Sequence, residues 1–177
     1  MLFRSNRFGR ISPTTALHVL AELDGRIAFI LDGGPCSHGI ESTIVHVSQK
    51  GLRVLREGPI TRDDLRSFAP LLEESIAISA PGGLKSHYAP RTPLVLEKNP
   101  APRSEKTGLL AFSTPREGFA KTEILSAKSD PREAATNLYG AMRRLDESGL
   151  DLIVAEEIPE TGIGAAIMER LRKAAAR

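Results

Sequence analysis

The stretch Leu31-Asp32-Gly33-Gly34-Pro35-Cys36-Ser37-His38-Gly39-Ile40-Glu41-Ser42-Thr43-Ile44-Val45 decides how this chain is read. The apolar run 27–31 predicts a buried strand, and Asp32-Gly33-Gly34-Pro35 is a turn signal. A polar loop follows, and Glu41-Ser42-Thr43 opens a second apolar strand, Ile44-Val45-His46-Val47. Two hydroxyls and a carboxylate are thereby held at a strand edge, beside glycines that let a ligand approach the backbone closely. Read alone, the same loop is equally an ordinary hairpin turn.

Its surroundings add chemistry. Upstream, the polar loop Ser5-Asn6-Arg7-Phe8-Gly9-Arg10-Ile11-Ser12-Pro13-Thr14-Thr15-Ala16 ends as a helix start, with Ser12 as N-cap and Pro13 as the first helical residue. Downstream, Leu52-Arg53-Val54-Leu55-Arg56-Glu57-Gly58-Pro59-Ile60 reads as a strand ending in an arginine and a glycine turn. Thr61 caps a further helix with Asp63 and Asp64 in its first turn, and the helical spacing of Leu65, Phe68, Leu71 and Leu72 predicts a core face. Residues 79–93 are rich in proline and glycine and contain Ser86-His87-Tyr88-Ala89-Pro90, which reads as a linker.

Beyond the linker, strand patterns at 94–97, 108–112, 123–126 and 152–155 alternate with a long helix from Asp130-Pro131 and a last helix over 163–176. Ala134, Ala135, Leu138, Met142 and Leu145 share one face of the long helix. Apolar strands separated by helices imply an α/β fold with a parallel, doubly wound sheet. Arg170, Arg172 and Lys173 read as a solvated C-terminal turn that complements the helix dipole.

The 177 residues allow one domain or two small ones, and 41% hydrophobic with 26% charged residues is ordinary for a globular protein. A net charge of +2 does not by itself argue for nucleic acid. No apolar run is long enough for a membrane span, so no membrane partner is expected. Cys36 is the single cysteine, which excludes a disulfide framework and fits a reducing cytoplasm. It reads as a small packing residue rather than a nucleophile. His38 and His87 lie on separate loops without paired carboxylates and His18 faces out of a helix, so no protein-bound metal is expected.

Together, these motifs resemble the L-threonylcarbamoyladenylate synthases, the YrdC/TsaC-type family, in their two-domain form. The carriers are Asn6-Arg7-Phe8-Gly9 through Ser12-Pro13-Thr14, the Leu31–Val45 loop, Leu55-Arg56-Glu57-Gly58 and His87-Tyr88-Ala89-Pro90. Asp151-Leu152-Ile153-Val154-Ala155-Glu156, Gly162-Ile163-Gly164-Ala165-Ala166-Ile167 and Arg170-Leu171 resemble that family's second domain. The resemblance departs at Arg4 and Ser5, where the family has serine and alanine. It implies a partial YrdC-like twisted α/β domain over residues 1–78, lacking its N-terminal half, then a linker over 79–93 and a small Rossmann-like domain over 94–177. The family's basic phosphate motif belongs to the part upstream, so this chain is expected to be a truncated form with impaired activity.

What the resemblance implies is a cytoplasmic nucleotidyltransferase that joins ATP, L-threonine and bicarbonate into threonylcarbamoyl-AMP and pyrophosphate for tRNA modification. Asn6, Ser12, Arg56 and Tyr88 would bind ATP, while Ser42 and Thr43 would bind threonine; which group would be catalytic is left open. Ser12 is as readily a helix cap, Ser42 and Thr43 as readily edge-strand polar residues, and Arg56 as readily solvated. Tyr88 would fold over the nucleotide or simply pack the two domains together. Mg2+ would arrive with ATP. Double-stranded RNA or tRNA, and downstream tRNA-modification proteins, are further implied partners. The alternative is a non-catalytic nucleotide- or RNA-binding remnant.

Overall fold

A computed structural model describes residue 7, residues 9–73 and residues 87–176. Asn6 and most of the glycine–proline stretch lie outside the described residues.

Helix α1 spans Ala16–Leu23, later than a Ser12 cap would start it. Thr15 caps it instead, in extended conformation, its hydroxyl accepting the His18 amide at 3.3 Å. The Ser12 hydroxyl donates at 2.5 Å to Glu41, a charged acceptor that outcompetes a neutral cap. His18 is half-buried, its Nδ1 taking the Thr14 amide at 3.2 Å rather than pointing to solvent.

Residues 27–31 form no strand; Phe29 is 75% and Leu31 91% exposed. An apolar run becomes a strand only where another strand completes its ladder, and among the described residues none pairs with it. Strands β1 (Ile44–Ser48) and β2 (Gly51–Arg56) do pair, as an antiparallel hairpin with Val45 opposite Val54.

Helix α2 (Arg62–Arg66) starts where Thr61 predicts, with a complete capping box: Thr61 Oγ1 accepts the Asp64 amide, and Asp64 Oδ2 accepts the Thr61 amide at 2.8 Å. The helix ends before Phe68, which is 81% exposed, so the anticipated apolar face does not form. Thr61→Ala is expected to cost about 1 kcal/mol, read as a lower urea midpoint at unchanged slope.

The C-terminal region contains β3 (Leu94–Glu97), β4 (Thr107–Ala111), β5 (Lys121–Ile124), α3 (Pro131–Asp146), β6 (Leu152–Glu156) and α4 (Gly164–Ala175). The four strands form one parallel sheet in the order β3-β6-β4-β5. Every residue of β4 is buried, as expected of a central parallel strand covered on both faces. The last predicted strand before α3 ends two residues early, at Ile124, although Leu125 and Ser126 still donate to Ala111 and Phe112 carbonyls. Asp130 caps α3 and Pro131 occupies its first turn. Helix α3 packs on β4 and β5, α4 packs on β3, and the two helices pack on each other.

One buried cluster joins Leu138, Tyr139, Met142, Ile167 and Leu171 of these helices to Ile11, Ile40 and Tyr88. The loops around the hairpin are therefore seated on α3 and α4. Among the described residues no helix is long and apolar enough to cross a membrane.

Candidate functional site

Ser42 and Arg56 flank the open end of the β1–β2 hairpin. Arg56 donates through Nε to the Ser42 carbonyl at 2.9 Å and through Nη2 to the Ser42 Oγ at 3.1 Å. The serine hydroxyl thus accepts from a cation, and its own proton is left to donate. An exposed O–H polarised by a guanidinium suits an anionic acceptor such as a carboxylate.

Thr43 is used differently. Its Oγ1 donates to the Ile60 carbonyl at 2.6 Å and accepts the Ile60 amide at 3.1 Å, which ties the segment after β2 to the start of β1. Gly58 allows this crossing: a Cβ there would collide with the Thr43 amide and the Ser42 carbonyl carbon.

Behind Ser42 lies Glu41, whose carboxylate collects donors from three elements. Ser12 donates to Oε1, Tyr139 of α3 donates to Oε1 at 3.2 Å and Oε2 at 3.0 Å, and Arg170 of α4 donates from Nε to Oε2 at 3.1 Å. Burial pushes the Glu41 carboxyl up, but the Ser12 hydrogen bond, the Arg170 charge, a backbone hydrogen bond and the Tyr139 hydroxyl outweigh it and hold it below its ordinary value. Burial, reinforced by the Glu41 charge, holds the Tyr139 phenol well above its ordinary value, so it remains a donor. Because Ser12 gives its proton to Glu41, it offers only lone pairs to a ligand. It could meet a ribose hydroxyl, but it could not donate to a phosphate oxygen.

Tyr88 is 1% exposed and sits between the two halves of the chain. Its ring stacks on Tyr139 at 5.8 Å, meets His87 edge-on at 4.1 Å and lies 5.5 Å from the Arg170 guanidinium carbon. The backbone around it is stitched on both sides: the His87 amide donates to the Lys173 carbonyl at 3.1 Å and the Ala89 amide to the Gly9 carbonyl at 3.0 Å. Tyr88 has φ of 61°, a conformation costly for a bulky residue and held here by this packing.

Ser12, Ser42, Arg56 and Tyr88 thus converge on Glu41 and its surroundings, while Asn6 lies outside the described residues. Three members of the network were not read as site residues in the sequence: Glu41 as a hub, Tyr139 and Arg170. Arg170 is not in a solvated turn; it is 1% exposed. The signal was available in the helical period, since Ile163, Ala166, Ile167, Leu171 and Ala174 place Arg170 on the apolar face of α4. Cys36, read as a packing residue, is exposed, and its amide donates to the Thr14 carbonyl at 2.9 Å.

Comparison with known proteins gives a consistent picture. The family described as "Threonylcarbamoyl-AMP synthase, C-terminal domain" matches residues 54–176, and one described as "Telomere recombination" matches residues 4–58. The chain is 34% identical to a threonylcarbamoyl-AMP synthase of Bacillus subtilis, covering 97% of this chain and 55% of that protein. It is 30% identical to one of Pyrococcus abyssi, covering 96% and 56%. A crystal structure of P. abyssi Sua5 complexed with L-threonine superposes with a TM-score of 0.82 at 28% identity, covering 97% of this chain and 56% of that one. The chain therefore spans about half the length of the relatives it matches.

Proposed function

The chain belongs to the threonylcarbamoyl-AMP synthase family, and from that premise we propose that it supplies the amino-acid side of a site joining ATP, L-threonine and bicarbonate into threonylcarbamoyl-AMP. The observation that carries this reading is the Ser42–Arg56 pair, an exposed hydroxyl whose oxygen is held by a guanidinium and whose proton is free for a carboxylate. That a relative was crystallised with L-threonine supports the same ligand here.

In this reading the threonine amine takes up carbon dioxide derived from bicarbonate as a carbamate. A carbamate oxygen attacks the α-phosphorus of ATP, the bond to the β-phosphate side breaks, and pyrophosphate leaves. The protein contributes position and charge rather than a covalent intermediate. Ser42 would orient threonine by its carboxylate, and the Ser12 lone pairs would face the nucleotide sugar. Magnesium would arrive with ATP. The product would pass to tRNA-modifying proteins, with tRNA or double-stranded RNA as a further partner.

Calorimetric titration tests the reading. Ser42→Ala is expected to weaken L-threonine at least tenfold, in line with roughly 1.5–3 kcal/mol for a hydrogen bond to a charged group. Arg56→Ala is expected to weaken both an ATP analogue and threonine, because it removes a cation and also releases the Ser42 hydroxyl. Threonine binding indifferent to Ser42→Ala would overturn the assignment, and nucleotide binding with no threonine binding at all would favour a non-catalytic remnant.

A further inference from the structure

Arg170 projects from α4 of the C-terminal sheet region and reaches the hairpin at two places at once. Its Nε donates to the Glu41 carboxylate at 3.1 Å, and its Nη1 donates to the Glu57 carbonyl at 2.7 Å. Glu41 is the residue before Ser42, and Glu57 is the residue after Arg56. A single planar guanidinium therefore bridges the side chain of the residue before Ser42 and the backbone of the residue after Arg56.

Neighbouring groups restrict its movement. Glu169 accepts from Arg170 Nη1 at 3.0 Å and also takes the Glu57 amide at 2.9 Å, so β2 exits onto α4 through two hydrogen bonds. The ring of Tyr88 covers the guanidinium, and Tyr139 braces Glu41 from α3. The guanidinium geometry matters because a lysine ammonium carries the same charge but cannot reproduce two divergent N–H directions held at a fixed angle in one plane.

We propose that Arg170 is a positioning residue, by which the C-terminal region sets the distance between Ser42 and Arg56 through Glu41 and Glu57. The threonine part of this proposal rests on the function proposed above; the positional part does not. The second region of the chain is then a structural component of the ligand site.

The experiment is amide hydrogen exchange on the whole chain, paired with calorimetric titration of L-threonine. In Arg170→Lys, exchange over residues 41–44 and 57–60 should rise at least tenfold while β4 and β6 stay as protected as in the parent. Threonine affinity should fall at least tenfold. Glu41→Gln keeps the Glu57 contact and weakens the other, so its rise should be confined to 41–44, which keeps the proposal decidable if Arg170→Lys folds poorly. Unchanged exchange in both segments, or a rise shared equally by β4 and β6, would overturn the proposal and leave Arg170 as an ordinary stabilising residue. If the parent chain binds no threonine, the proposed function fails, while the exchange result still decides the positioning role.

Discussion

Replacing Glu41 with alanine is expected to destabilise the fold by about 2–3 kcal/mol, below the roughly 3–5 kcal/mol for a buried charge left wholly uncompensated, because Glu169 still pairs with Arg170. Arg170, 1% exposed, loses the acceptor of its Nε while keeping Glu169 on Nη1, and the Tyr139 hydroxyl, on a fully buried residue, loses its acceptor in the same stroke. Glu41→Gln keeps the shape and one acceptor oxygen, so it should cost less. A urea midpoint close to that of the parent for Glu41→Ala would show that the network contributes little to stability.

The same carboxylate gives stability a pH dependence whose sign is fixed. Glu41 is held below its ordinary value of 4.5 in the folded chain, against the opposing push of burial. A group with a depressed folded pKa adds stability above its unfolded value and loses that contribution as pH falls through the folded value. The stability gap between the parent and Glu41→Gln should therefore hold steady at neutral pH and close on acidification through and below 4.5. A gap that widens with acid would contradict the assignment.

Gly39→Ala is the second large effect, about 3 kcal/mol. Gly39 has φ of 69°, and a Cβ there would overlap the Ala135 carbonyl and the Thr136 backbone of α3. Strain at positive φ costs about 1–2 kcal/mol, and overpacking against a helix backbone that cannot rotate aside adds about 1–3. Gly25 is the internal control: its φ is also 69°, but open space surrounds it, so alanine there should cost only the strain. Equal losses at both positions, measured by urea unfolding, would show that the loop carrying Gly39 is not seated on α3 as described. That seating also includes the Thr136 hydroxyl donating to the Ser37 carbonyl at 3.1 Å.

Local rules read from the sequence hold where neighbours in the chain supply the partners. The Thr61 cap, the Asp130-Pro131 start of α3, the apolar face of Ala134, Ala135, Leu138, Met142 and Leu145, and the fully buried β4 all follow from spacing and side-chain type alone. The motifs around Ser42 and Arg56 likewise carry the family resemblance, which the matching family model and relatives bear out. The rest depends on contacts between residues far apart in the chain. Ser12 has both a cap and a carboxylate within its chemical means, and the proximity of Glu41 decides for the carboxylate. Residues 27–31 have the composition of a strand, but a strand is a property of a pair of segments, and composition does not supply the second. Arg170 shows the limit most plainly: its place on the apolar face of α4 is visible in the helical period, but its burial becomes tolerable only because Glu41, Glu57 and Glu169 meet it there. Spacing along one helix says which way a side chain faces; only the packed structure brings up the opposite charge that makes burying a cation favourable.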